Sequence, residues 1–147
     1  VLNTNRGMIE FVLFEKDCPK TTARIADLVQ SGSYDGVTFK SAESWMIQTN
    51  SVAKQVSGIG IEVAKGLLFD EGSVGMARAD DPNSNLSEFF IATKPAHHLD
   101  FRYTKFGRVI SGMDVARKIT VDDSIKTATI RPITDAEKKL LADFLAK

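Results

Sequence analysis

The sequence predicts a mainly β fold, a small barrel or sandwich whose open ends are covered by two helices. Three observations carry that prediction. Apolar runs of about five to eight residues, each bounded by Gly, Asn, Asp or Pro, recur as the strands of a small closed sheet do. Two internal segments instead space their apolar residues as a helix does. The length of 147 residues is that of one domain with one full core.

"GMIEFVLFEKDCP" reads as a strand from Met8 to Phe14, with Ile9, Phe11 and Leu13 on one face. Met8, Glu10, Val12 and Phe14 share the other face, so the strand is expected to be covered on both sides. Pro19 opens "KTTARIADLVQSG", where Ala23, Ile25, Ala26, Leu28 and Val29 follow helical spacing and Gly32 ends the helix. "SYDGVTF" holds a turn at Asp35 and Gly36. In "FKSAESWMIQTN" the Lys-Ser-Ala-Glu-Ser run reads as an exposed turn, and alternation accounts for Phe39, Trp45 and Ile47.

Further strands are expected in "GSVGMARA", "SEFFIAT", "YTKFGRVI" and "TATIRPI". "SGMDVARKI" supplies the second helix, with Met113, Val115, Ala116 and Ile119. After Pro132, Thr134 and Glu137 form a capping box for a last helix whose stripe is Leu140, Leu141, Phe144 and Leu145. That helix either packs on its own domain or docks to a partner protein.

Lysine plus arginine and aspartate plus glutamate both total 19, so the formal charge is zero, and no long run of one sign occurs. Nucleic acid and anionic membrane are therefore not expected as main partners. Nothing reaches the ~18 apolar residues of a membrane-spanning helix, so a soluble protein is expected. With Cys18 as the one cysteine no internal disulfide can form, and cytoplasmic, periplasmic and organellar locations all stay open.

The usual catalytic motifs fail on inspection. Asp81, Asn83 and Asn85 alternate like the start of a calcium loop, but Leu86 stands where that loop turns on Gly and Ala92 where it needs Glu. Asn85-Leu86-Ser87 is a formal glycosylation triplet and a common chance match. His97 and His98 are adjacent, with no ligand cluster at metal spacing, so no metal and no cofactor are expected. "SGIGIE" lacks the rest of a phosphate loop, and no serine sits in a G-x-S-x-G elbow. Spacing alone ends at a β-rich domain with Trp45, Met46, Gln48, Phe90 and Leu99 near strand ends.

Three segments in order resemble the cyclophilin-type peptidyl-prolyl isomerases. They are "YDGVTF" with "WMIQ", "GMARADDPNSNLSEFFI", and "HHLDFRYTKFGRVISGMDVARKI", within a match from about Asn3 to Ile130. The resemblance implies an eight-stranded antiparallel closed β-barrel capped by two helices. Residues 1–133 would be the cyclophilin-like domain and residues 134–147 an extra C-terminal amphipathic helix. It also implies a groove on the outer face of the barrel. There Met46, Phe90 and Leu99 would form a proline pocket, with Trp45 and His98 beside it and Gln48 retained. Ala77, Arg78 and Ala79 would line the run that pairs with residues before the proline.

Departures from the family pattern bear on activity. The family's catalytic Arg position is Ser41, preceded by Lys40, and the loop to Trp45 is one residue shorter than usual. Glu88 replaces a Gln, and Tyr103 stands in place of a His. Arg78, Arg102 and Lys40 are candidate substitutes for the lost cation, Arg78 first among them. The expectation is an isomerase of reduced activity on X-Pro bonds in flexible or unfolded protein segments. The alternative is a catalytically impaired module that binds proline-containing peptides or serves as a structural subunit. With His98 at the rim, weak affinity for cyclosporin-like macrocycles is expected.

Overall fold

The computed structural model describes residues 1–145. Eight strands form one curled, wholly antiparallel sheet: β1 (Leu2–Thr4), β2 (Gly7–Leu13), β3 (Phe39–Ala42), β4 (Met46–Thr49), β5 (Ser73–Met76), β6 (Phe89–Ala92), β7 (Lys105–Ser111) and β8 (Ile125–Ala128). Their order across the sheet is β3-β4-β6-β5-β7-β2-β1-β8. Among the described residues there are three α-helices, α1 (Pro19–Gln30), α2 (Met113–Ala116) and α3 (Asp135–Leu145), and a 3-10 turn at His97–Leu99. No helix among them is long and apolar enough to cross a membrane. Main-chain bonds also link the segments leading into the two edge strands: Phe39 N–H donates to Asp123 and Ile125 N–H to the Val37 carbonyl.

The main core gathers Ile9, Val12, Phe14, Ile25, Leu28, Phe39, Ile47, Val74, Phe89, Ile91, Phe106 and Ile125. A shift of register between Glu10 and Phe11 breaks the alternation expected along β2. Ile9 therefore joins Val12 and Phe14 in the interior, while Met8, expected to be covered, is 52% exposed. Two further expectations need correction. The Lys40–Ala42 stretch belongs to strand β3 and not to a turn, and the last strand ends at Ala128, so most of "TATIRPI" lies beyond it.

Helix α1 starts at Pro19, whose missing N–H costs nothing in the first turn. Cys18 at its N-cap offers no side-chain bond, and Glu62 from a distant loop does the capping instead. The Glu62 carboxylate accepts from the N–H of Lys20 (3.1 Å) and Thr21 (2.7 Å) and from Thr21 Oγ1 (2.7 Å). Burial pushes the Cys18 thiol up to about 12. Asn85 is fully buried with Nδ2 bound to the carbonyls of Ile59 and Pro82, so the folded chain does not present its glycosylation triplet.

Helix α3 opens on the expected capping box. Glu137 N–H donates to Thr134 Oγ1 (3.2 Å) and Thr134 N–H to Glu137 Oε1 (2.9 Å). Arg131 ties the same carboxylate to Glu10. Ile133, Leu141, Phe144 and Leu145 pack against the main core, and the Phe144 ring lies 4.6 Å from the Arg108 guanidinium. Leu140 of the expected stripe faces outward, 42% exposed. Residues 146 and 147 of the expected helix lie outside the described residues. A cavity of about 750 Å³ remains between β2, α1 and α3, lined by Phe11, Leu13, Ile25, Val29, Ile133 and Leu141 among others.

Candidate functional site

A second apolar cluster stands apart from the main core. Met46, Phe69, Phe90, Ala96 and Leu99 form it, and Trp45, Ala77 and Tyr103 pack partly buried against its edge. Strand pairing dictates part of this. Gln48 of β4 lies opposite Phe90 of β6, which lies opposite Gly75 of β5, so side chains in that row share one face. Gly75 is required there: a Cβ would stand 2.7 Å from Phe90 Cζ and 2.8 Å from Phe69 Cε1. Met46 is two residues before Gln48 on β4 and reaches the same face.

The irregular segments supply the rest. Phe69 stacks on Phe90 with centroids 5.6 Å apart, and Tyr103 meets Phe90 edge-on at 6.3 Å. The Phe69 N–H donates to Asp100 Oδ1 (2.7 Å), and its carbonyl accepts from the Ala96 N–H (2.8 Å). His97 and His98 diverge from the 3-10 turn. His97 sits between Asp100 (2.9 Å) and Asp70 (3.3 Å), whereas His98 is edge-on to Trp45 at 5.2 Å. These contacts fix the turn that carries Leu99.

Lys105 anchors the segment beneath. It is 3% exposed, and its Nζ donates to the Leu68 carbonyl at 2.7 Å, one residue before Phe69. Burial, helped by the charge of Arg108, lowers its pKa to about 8 against the opposing pull of Asp70 and Asp100.

A polar group adjoins the apolar cluster at Gln48. Glu88 Oε2 accepts from Lys40 Nζ (2.7 Å) and Gln48 Nε2 (3.3 Å), and Oε1 accepts from Ser51 Oγ (2.8 Å). Ser41 pairs across from Gln48, half-buried. Arg78 points elsewhere: its guanidinium donates to the carbonyls of Ala79, Asp80 and Arg102 and lies 4.5 Å from the Tyr103 centroid. The N–H groups of Ala77 and Ala79 are engaged by the Glu88 carbonyl and Ser84 Oγ. Arg102 is exposed.

Met46, Phe90, Leu99, Trp45, Ala77 and Tyr103, named from the sequence, thus meet in one cluster, with Gln48 and Glu88 at its polar edge and His98 against Trp45. Sequence reasoning missed Phe69, Ala96 and Lys105. Phe69 and Ala96 lie in loops without periodicity, and Lys105 opens a strand that also carries Arg108 and Ser111, so no break in an apolar run marked it.

The family model described as "Cyclophilin type peptidyl-prolyl cis-trans isomerase/CLD" matches residues 1–137. Peptidylprolyl isomerase domain and WD repeat-containing protein 1 of Mus musculus is 32% identical over 146 residues; the match covers 92% of this chain but only 22% of that protein. Peptidyl-prolyl cis-trans isomerase 10 of Caenorhabditis elegans is 34% identical over 129 residues, covering 80% of this chain and 79% of that one. A Cryptosporidium parvum cyclophilin-type isomerase, solved in the presence of the dipeptide Ala-Pro, superposes with a TM-score of 0.78 at 26% identity, covering 89% of this chain and 97% of that one. By the extent of these matches, the chain belongs to the cyclophilin-type peptidyl-prolyl cis-trans isomerase family.

Proposed function

We propose that this chain is a peptidyl-prolyl cis-trans isomerase of reduced activity, acting on X-Pro bonds in flexible or unfolded protein segments. The observation that carries the reading is the cluster of Met46, Phe90 and Leu99 apart from the main core, rimmed by Trp45, Ala77 and Tyr103. The proline ring binds against Met46, Phe90 and Leu99, and the residues before it run along Ala77, Arg78 and Ala79. Bonds linking residues 37–39 to 123–125 support a closed barrel beneath this face. We treat residues 1–133 as the cyclophilin-like domain and the segment from residue 134 onward as an accessory element, whose helix Asp135–Leu145 is held on the domain; the packing of Leu141 and Phe144 gives no support to docking of a partner there.

Rotation about an X-Pro bond faces a barrier of ~18–20 kcal/mol from amide resonance. At the twisted state resonance is lost and the proline nitrogen regains its lone pair. No bond breaks, so neither a nucleophile nor a metal is required. A pocket that holds the ring lets the acyl side turn, and a preorganised donor toward that nitrogen favours the twisted form over the planar one. Ser41, short and uncharged, stands at the family's Arg position. That absence favours the second reading, a module that binds proline peptides or serves as a structural subunit without turning them over.

Proline-limited refolding with and without the chain separates the two. Acceleration over buffer supports the isomerase. A rate equal to buffer, restored by Ser41→Arg, supports the binding module. The edge-on contact of His98 with Trp45 leaves an imidazole where the family often has a larger aromatic. Weak binding of cyclosporin-like macrocycles is the expected result of titration calorimetry, and tight binding contradicts it.

A further inference from the structure

We propose that Lys40 supplies the cationic donor of this site, turned toward it by a β-bulge and held there by Glu88. The assignment rests on the isomerase reading and deepens it.

Register is the first support. Phe39 pairs with Thr49 and Ser41 with Gln48, so Lys40 is the extra residue of β3. In a regular strand, Lys40 and Ser41 would face opposite sides of the sheet. A bulge suspends that rule and re-aims a side chain. Phe39 is buried in the main core, and Ser41 falls in the row that continues through Gln48, Phe90 and Gly75. The Lys40 ammonium nevertheless reaches Glu88 on β6's side of that row.

The second support is what Glu88 holds. One oxygen, Oε2, takes both Lys40 Nζ at 2.7 Å and Gln48 Nε2 at 3.3 Å, and Gln48 lies directly across from the Phe90 pocket residue. The other oxygen takes Ser51 Oγ at 2.8 Å, which fixes the carboxylate plane. A carboxylate suits this position. Lysine lacks the planar fork of arginine and needs an anion to restrain its flexible stem. Ser41 and Glu88, two separate departures in the sequence, thereby become parts of one exchange: a guanidinium among amides is replaced by an ammonium held on a carboxylate.

An ammonium has three N–H donors. Glu88 occupies one and leaves two, and the Lys40 side chain is 38% exposed, open to an arriving peptide. Arg78 is bound by three main-chain carbonyls, and Lys105 is buried on the Leu68 carbonyl, so neither group is as open as the Lys40 ammonium.

The test compares kcat/KM for isomerisation of a short Ala-Pro peptide by the unaltered chain, Lys40→Met, Lys40→Arg and Glu88→Gln. Peptide affinity of each is followed by Trp45 fluorescence, and a thermal melt checks folding. Lys40→Met should lower kcat/KM by roughly 10- to 100-fold, below the loss of a fully enclosed donor because the group is partly solvated. Its affinity should stay within about twofold, the signature of a contact made in the transition state. Lys40→Arg should retain most of the rate, and Glu88→Gln should fall between. A Lys40→Met rate within about twofold of the unaltered chain overturns the assignment and leaves the isomerase reading standing. Parallel loss of rate and affinity overturns it too, in favour of a structural role. No acceleration by the unaltered chain overturns both.

Discussion

Phe69 stacks on Phe90 with ring centroids 5.6 Å apart and planes inclined by 19°. One ring comes from an irregular segment and the other from a central strand, so the cluster depends on a loop being held in register with the sheet. Phe69 is fully buried. Phe69→Ala should cost about 3–5 kcal/mol of stability, as buried Phe→Ala changes do, and should weaken peptide binding as Phe90 loses its support. Urea unfolding and fluorescence titration check the two effects; normal stability with the substitution contradicts this packing.

Lys105 holds that loop through the Leu68 carbonyl and has its pKa lowered to about 8 from an ordinary 10.5. The folded chain thus gives up the proton at lower pH than the unfolded chain. Below pH 8 the cost of burying the charge is fully present, and it is relieved as pH rises from 8 to 10.5. Stability should therefore climb across that window, by at most ~1.4 kcal/mol per pH unit from this group. Lys105→Met should remove that component of the slope, measured as the difference between the two chains in urea unfolding at each pH. Parallel curves contradict the buried ammonium.

Glu137 works in the opposite sense. Its bonds from Arg131 and from the Thr134 N–H hold its pKa down to about 2, below the ordinary 4.5. The help it gives to the start of α3 is present above pH 4.5 and is lost as pH falls toward 2. Carbon chemical shifts of α3 should move toward coil over that range. Thr134→Ala should loosen the same helix near neutral pH, at a cost of about 1 kcal/mol. Truncation after Ile133 should lower the melting temperature, because Leu141 and Phe144 pack on the domain itself. An unchanged melt favours an interaction helix.

Cys18 should be inert in the folded chain, since it is fully buried, its Sγ lies 3.2 Å from the Lys105 carbonyl, and its thiol is pushed up to about 12. A thiol reagent should label it only at the rate of unfolding. Fast labelling under native conditions contradicts the packing of α1.

What the sequence made legible were features with strong local punctuation. Pro19 and Gly32 bracket α1, and Thr134 with Glu137 opens α3 as their types require. Strands broken by bulges were read less well. The shift between Glu10 and Phe11 put Met8 outside, and the extra residue at Lys40 hid a strand inside what read as a turn. Strand β1 is three residues long, two of them the polar Asn3 and Thr4, too short to carry a period, and β8 exposes both Lys126 and Thr127 between its buried ends. At the site, resemblance brought Met46, Phe90 and Leu99 together on paper, while Phe69 and Lys105 act through loop bonds that no spacing encodes.

The central claim is that the Met46, Phe90 and Leu99 face receives a proline ring. Titrating an Ala-Pro peptide into methyl- and indole-labelled chain, followed by NMR, tests it most directly. Shifts centred on the Met46 and Leu99 methyls and the Trp45 indole are the expected result. Saturable shifts confined to the Ile25, Ile133 and Leu141 methyls around the cavity beneath α3, or none at all, would contradict it.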